Sequence, residues 1–180
     1  MAFASFRIMI LFALLAGGPL VCACRSTANT AAKPNENSVD ETLHLEGAKF
    51  AGGIVEYANL RYQQCSHGQT PRSDVCVGEA VSVNHFRARR VCEDLRLGNL
   101  RWRLPAREEL EALLLKDQSF VPLTDPRAFP RTRAVNYWTD SAYHGSESSY
   151  WTVDFQQGHA EGEQIFHNAY VRCVTGGQSK

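Results

Sequence analysis

Four cysteines, Cys65, Cys76, Cys92 and Cys173, constrain this chain more than any other feature, because their number and spacing leave few ways to fold it. Two more, Cys22 and Cys24, lie in an apolar N-terminal stretch and belong to a separate argument. An even set in an exported chain predicts two disulfides, and three pairings are formally open. Cys65 and Cys76 flank a run rich in Ser, His, Gly, Gln and Pro, so a local bridge would staple an otherwise floppy excursion. That choice leaves Cys92, in a helical pattern, for Cys173 in an apolar, β-prone run. Closing a loop of roughly 80 residues contributes on the order of 4 kcal/mol in chain-entropy terms. Zinc is the competing use of these cysteines, and it fails on spacing: no Cys-x-x-Cys or Cys/His pair stands at the usual interval.

Export is read from the first residues. A lone early charge, Arg7, precedes an apolar run from Ile8 to Ala16, then Gly17, Gly18 and Pro19. The run is shorter than the roughly 20 residues of a membrane span and is followed by small residues, the pattern of a signal peptide over 1–23. Val21-Cys22-Ala23-Cys24 resembles a bacterial lipobox, which predicts lipidation of Cys24; ordinary cleavage after Ala23 is the alternative. Arg25 stands where an aspartate would favour inner-membrane retention, which directs the expectation to an outer-membrane lipoprotein, facing the periplasm or the outside.

Residues 24–43 are expected to form a lipidated N-terminus and tether, since Ser, Thr, Asn, Ala, Lys and Pro cannot bury enough surface to order themselves. Residues 44–176 are expected to form one domain, and 177–180 a tail. The formal net charge is zero, so no global field draws the chain to nucleic acid, and no nucleic-acid partner is expected. Charge is local instead. Arginine far outnumbers lysine, and Arg87, Arg89 and Arg90 are a possible polyanion patch unless nearby Glu93, Asp94, Glu108 and Glu109 neutralise the cluster.

The segment Trp102-Arg-Leu-Pro-Ala-Arg-Glu-Glu-Leu110 predicts a helix starting near Ala106, because Pro105 suits a helix threshold and favours extended backbone before it. Leu110, Leu113 and Leu114 form its apolar face, with Arg107, Glu108, Glu109 and Glu111 directed to water. An earlier helix is predicted over Val83–Leu95, with Val83, Phe86 and Leu95 along one side. One strand is expected between Phe50 and Tyr62, irregular chain through Pro122, Pro126 and Pro130, then strands at 136–139, 149–155, 164–166 and 170–174. Helices first and antiparallel strands last give an α+β class.

In order, the Cys92 helix, the Trp102–Leu110 segment, Phe129-Pro130, Tyr137-Trp138-Thr139, Tyr150-Trp151-Thr152-Val153-Asp154-Phe155 with Gly158, and Val171-Arg172-Cys173-Val174 resemble the Lcl C-terminal-like domain family over roughly 50–175. The resemblance implies a C-type-lectin-like fold: two helices on a small twisted antiparallel sheet, terminal strands side by side, and a disulfide from a helix to the last strand. The family is similar in fold to formylglycine-generating enzymes and to retroelement-diversified binding proteins, and its named member is a surface adhesin for sulfated polysaccharide.

Three functions follow as expectations. The first is a non-enzymatic surface or envelope lipoprotein that binds a polysaccharide or a partner protein, with Tyr137, Asp140, Tyr143, His144, Glu147 and Tyr150 as ligand-binding residues. Trp102, Trp138, Trp151 and Phe155 are assigned to the core. The second is calcium-dependent carbohydrate binding through Asp140, Glu147, Asp154 and Asn136, although the Glu-Pro-Asn and Trp-Asn-Asp signatures of such lectins are missing. The third is an oxidase like the formylglycine generators, which use a reactive cysteine pair. Cys173 has a better use as a disulfide partner and no second late cysteine accompanies it, and His67, His85, His144, His159 and His167 make no catalytic pattern. The expectation is therefore no catalytic residue, no metal and no cofactor, with calcium the only ion worth testing.

Overall fold

The structure, a computed structural model, describes residues 44–176. The signal peptide, Cys24, the tether and the tail lie outside the described residues.

The class is α+β. Where one strand was expected there are three, β1 (Lys49–Ala51), β2 (Ile54–Tyr57) and β3 (Leu60–Gln63). Two tight turns make the difference. Gly52 and Gly53 take φ of 60° and 82°, and Ala58 and Asn59 take 49° and 62°, the left-handed pair that matches hairpin twist. A short hairpin, β4 (Thr70–Arg72) and β5 (Val75–Val77), orders the excursion between Cys65 and Cys76. Helix α1 spans His85–Glu93 and α2 spans Arg107–Glu111. Strands β6 (Asn136–Ala142), β7 (Ser149–Asp154) and β8 (His159–Gln164) form an antiparallel sheet. The expected strand at 164–166 is thus displaced upstream, where Glu161 and Gly162 pair with Thr152 and Trp151. The last strand shrinks to β9 (Val174–Thr175), which pairs with β3 and completes a sheet of order β1-β2-β3-β9.

Both disulfides join the expected partners, Cys65 to Cys76 and Cys92 to Cys173, with Cα separations of 5.5 and 5.4 Å. The second ties α1 to the segment entering β9.

Strand alternation divides the interior in two. Tyr137 and Val153 join Val55, Tyr62, Leu110, Leu113 and Phe129 in one cluster, while Trp138 joins Ala88, Cys92, Trp102, Leu104 and Val171 in the other. Each such side chain, fully buried, contributes roughly 1.5–3 kcal/mol. Trp138 also donates its indole N–H to Val83 O at 2.8 Å.

The Trp102–Leu110 segment works as a clasp. Trp102 donates to Leu97 O at 2.8 Å, and Arg103 and Val174 exchange backbone N–H···O bonds, each 2.9 Å. The Arg103 guanidinium grips Glu109 through two 2.7 Å bonds, while a Glu109 oxygen also accepts the Ala106 N–H at 2.8 Å. Glu109 therefore faces a partner rather than water, contrary to the periodicity-based expectation. The irregular stretch after Lys116 is organised by Asp125, whose buried carboxylate accepts from the amides of Leu45, Arg127 and Ala128.

Candidate functional site

Helix α1 begins where the Asn84 side chain accepts the Arg87 N–H at 3.0 Å, an N-cap that satisfies one of the first-turn amides. Its buried stripe is His85, Ala88 and Cys92, spaced i, i+3, i+7. That stripe rotates Phe86 outward to 64% exposure, so Phe86 is not on the apolar core face to which the longer Val83–Leu95 helix assigned it. Arg90 folds back over it, with the guanidinium carbon 4.8 Å from the ring centroid.

Beside this exposed face runs a groove of about 470 Å³, walled by Phe86, Arg87, Arg90 and Val91 on the helix and by Gln63 and His67 opposite. The opposite wall is held by backbone: His67 N–H donates to Val171 O at 2.9 Å, and His67 O accepts from Val81 N–H at 2.8 Å. Burial pushes the His67 imidazole below its ordinary pKa and the nearby Arg87 charge pushes it further, so it is neutral at pH 7. Val81 is 45% exposed. Leu95 and Asp94 close the C-terminal end.

The three arginines of the expected patch do not act together. Arg89 lies on another side of the helix and pairs with Asp140 at 3.2 Å. Arg87 and Arg90 have no carboxylate within ion-pair distance among the described residues. Of the three, Arg87 and Arg90 are the ones left without a carboxylate partner among the described residues.

The ligand residues expected around the β6–β7 hairpin also separate. Tyr137 is fully buried; its hydroxyl meets Ser66 Oγ at 2.8 Å and accepts the Arg133 N–H at 3.0 Å. The alternation of β6 turns it inward, so it is a core residue and not a surface contact. Tyr150 is half-buried, stacked on His85 with centroids 3.7 Å apart. A register shift between Trp138 and Ala142 lets Asp140 donate its N–H to Pro105 O while its carboxylate reaches Arg89. Tyr143 lies edge-on to Trp151 at 4.7 Å and over Gly162, where a Cβ would come within 2.6 Å of the ring. Trp151 is only half-buried, not a core residue like Trp102, Trp138 and Phe155; Arg107 covers it at 4.8 Å. His144 and Glu147 are exposed in the turn.

Two of the carboxylates proposed for calcium, Asp140 and Asp154, have other partners, and Glu147 lies apart in the exposed turn. Asp154 is buried and its Oδ1 accepts from the amides of Gln156 and Gln157, while Asn136 donates to Glu161 at 2.6 Å. No group of three or more His, Cys, Asp or Glu stands close enough to hold a metal among the described residues.

Sequence reasoning missed Phe86 and His67 as surface residues. The Phe86 signal was present in the spacing of His85, Ala88 and Cys92; the placement of His67 depends on its long-range bond to Val171 and had no local signature.

A family model described as the Lcl C-terminal domain matches residues 56–175, two thirds of the chain. No curated protein matches the sequence.

Proposed function

Because the chain belongs to the Lcl C-terminal domain family, a surface or secreted protein domain, we propose that it is a non-enzymatic recognition domain of C-type-lectin-like fold. In this reading the protein is exported, lipidated at Cys24 and held at the outer membrane, and residues 25–43 carry the domain away from the bilayer. It binds a polysaccharide or a partner protein for adhesion or recognition, and it needs no cofactor.

The observation that carries the proposal is the α1 groove. It combines an exposed Phe86, two arginines without an acidic partner among the described residues, and a wall fixed by main-chain hydrogen bonds. Arginine and aromatic side chains are the residue types that supply binding hot spots, and a rigid wall lowers the ordering cost of binding.

The test uses the full chain on an array of neutral and sulfated glycans, on heparin, and against candidate partner proteins, each at two salt concentrations. Binding that is weakened by Arg87→Glu with Arg90→Glu supports the reading. Absence of any ligand across these panels refutes it. Incorporation of a labelled fatty acid that disappears in Cys24→Ser tests the anchor separately.

A further inference from the structure

The α1 groove is not built like a site for a highly charged polymer. Among the described residues, Arg87 and Arg90 alone offer unpaired positive charge there, and Asp94 lines the same groove. Arg89, the third cation of the helix, is held by Asp140. His67 is neutral at pH 7, with its pKa lowered by burial and by Arg87. A long polyanion gains affinity by meeting many cations in register, and here it would meet two.

The groove also carries apolar surface. Phe86 stands 64% exposed on its helix wall. Val91 on the helix and Leu95 just past its end are half-buried. A sulfated sugar chain presents no side chain that would cover this surface, whereas a peptide does. Large apolar residues grouped with arginine are the composition of a protein-binding centre. The Arg90 guanidinium already stacks on Phe86, so an incoming carboxylate would find that cation positioned beside the apolar contact.

We propose that the groove formed by Phe86, Arg87, Arg90, Val91 and His67 docks an acidic peptide segment, in which one aliphatic or aromatic side chain packs on Phe86 and flanking carboxylates pair with Arg87 and Arg90. The proposal rests on the recognition reading above and names the partner class for its site. Its volume of about 470 Å³ accommodates a few side chains and not a folded surface, so the partner presents an extended or helical segment rather than a flat face.

The test pans a random-peptide phage library against the immobilised full chain and measures the enriched peptides by fluorescence anisotropy, with heparin as a parallel probe. Enriched peptides should pair carboxylates with a leucine, phenylalanine or tryptophan. Phe86→Ala should weaken them about tenfold, Arg87→Glu with Arg90→Glu about thirtyfold, and Phe120→Ala, an exposed phenylalanine outside the groove, should have no effect. Circular dichroism and melting of each variant establish that the fold is intact. Enriched peptides without carboxylates, or whose binding ignores Phe86→Ala, overturn the proposal. Heparin binding that depends on Arg87 and Arg90 but not on Phe86, with no peptide enriched, also overturns it while leaving the recognition reading intact. If neither probe binds and the glycan and protein panels are blank as well, both fall together.

Discussion

Arg172 holds its guanidinium 4.2 Å from the centroid of the Phe129 ring while only 1% exposed, and no carboxylate pairs with it among the described residues. Its Nη2 donates to Thr132 Oγ1 at 2.8 Å and weakly to Ser66 Oγ at 3.4 Å, whereas Nε and Nη1 find no hydrogen-bond partner among the described residues. Burial pushes its pKa down to about 10, which still leaves a cation at physiological pH. The ring faces of Phe129 and Tyr137 compensate that charge in place of an anion.

A buried charge without a counter-ion is expensive, so removing the charge while keeping the volume should be tolerated. Arg172→Met is expected to unfold within about 1.5 kcal/mol of the parent in urea, and Arg172→Ala to lose about 3–5 kcal/mol through the cavity it leaves. Equal damage from both substitutions would mean that the guanidinium itself is indispensable.

Glu109 supplies the acid-sensitive part of the clasp. Burial raises its pKa, but hydrogen bonds from Arg103 and the Ala106 amide and the Arg103 charge outweigh this and hold it below the ordinary value of 4.5. The stabilisation is present above the unfolded-state pKa and is lost as pH falls through the lower folded-state value. Glu109→Gln should cost about 1.5–3 kcal/mol at pH 7, with the gap to the parent closing as the pH is taken well below 4.5. Unfolding curves at a series of pH values check this, and a pH-independent gap would count against it.

His85 is buried against Tyr150 and Trp138, with Nε2 3.0 Å from Thr139 O. Burial pushes its pKa below the ordinary 6.5, more than the Thr139 bond and the Asp140 charge raise it. The unfolded chain therefore takes up this proton first, and stability should fall as pH drops from 6.5 toward the folded-state value. The imidazole carbon resonance of His85, followed by NMR, should titrate with a midpoint below 6.5. A midpoint above that would require a stronger coupling to Asp140 than the 4.0 Å separation provides.

Ala58 occupies a left-handed conformation, φ 49°, in the two-residue turn between β2 and β3. A Cβ is strained there, so Ala58→Gly should stabilise the domain by about 1 kcal/mol, against the usual direction of alanine-to-glycine changes. A melting temperature that drops would show that backbone entropy outweighs the strain.

Local chemistry and cysteine counting were legible in the residues. The pairing of Cys92 with Cys173, the helix after Pro105 and the irregular chain around Pro122, Pro126 and Pro130 all follow from local rules and from counting. Hairpin turns at Gly52-Gly53 and Ala58-Asn59 were less legible, because alternation alone does not distinguish one long strand from three short ones. Tyr137 and Trp151 were exchanged between surface and core for a related reason: adjacent aromatic residues in β6 and β7 face opposite sides, and only the sheet's position between two clusters decides which side is covered. Glu109 was misassigned because helical periodicity says nothing about Arg103, which lies before the helix begins.

The bridge between Cys92 and Cys173 has a mechanical meaning. Force applied to α1 loads a covalent bond at Cys92 and, through Cys173, the neighbouring strand β9, which is zipped to β3 and through it to the strands at the start of the domain. Tension applied between α1 and β1 has a route that bypasses the β6–β7–β8 sheet. The hairpin bearing His144 and Glu147 can therefore yield under strain without releasing the helix.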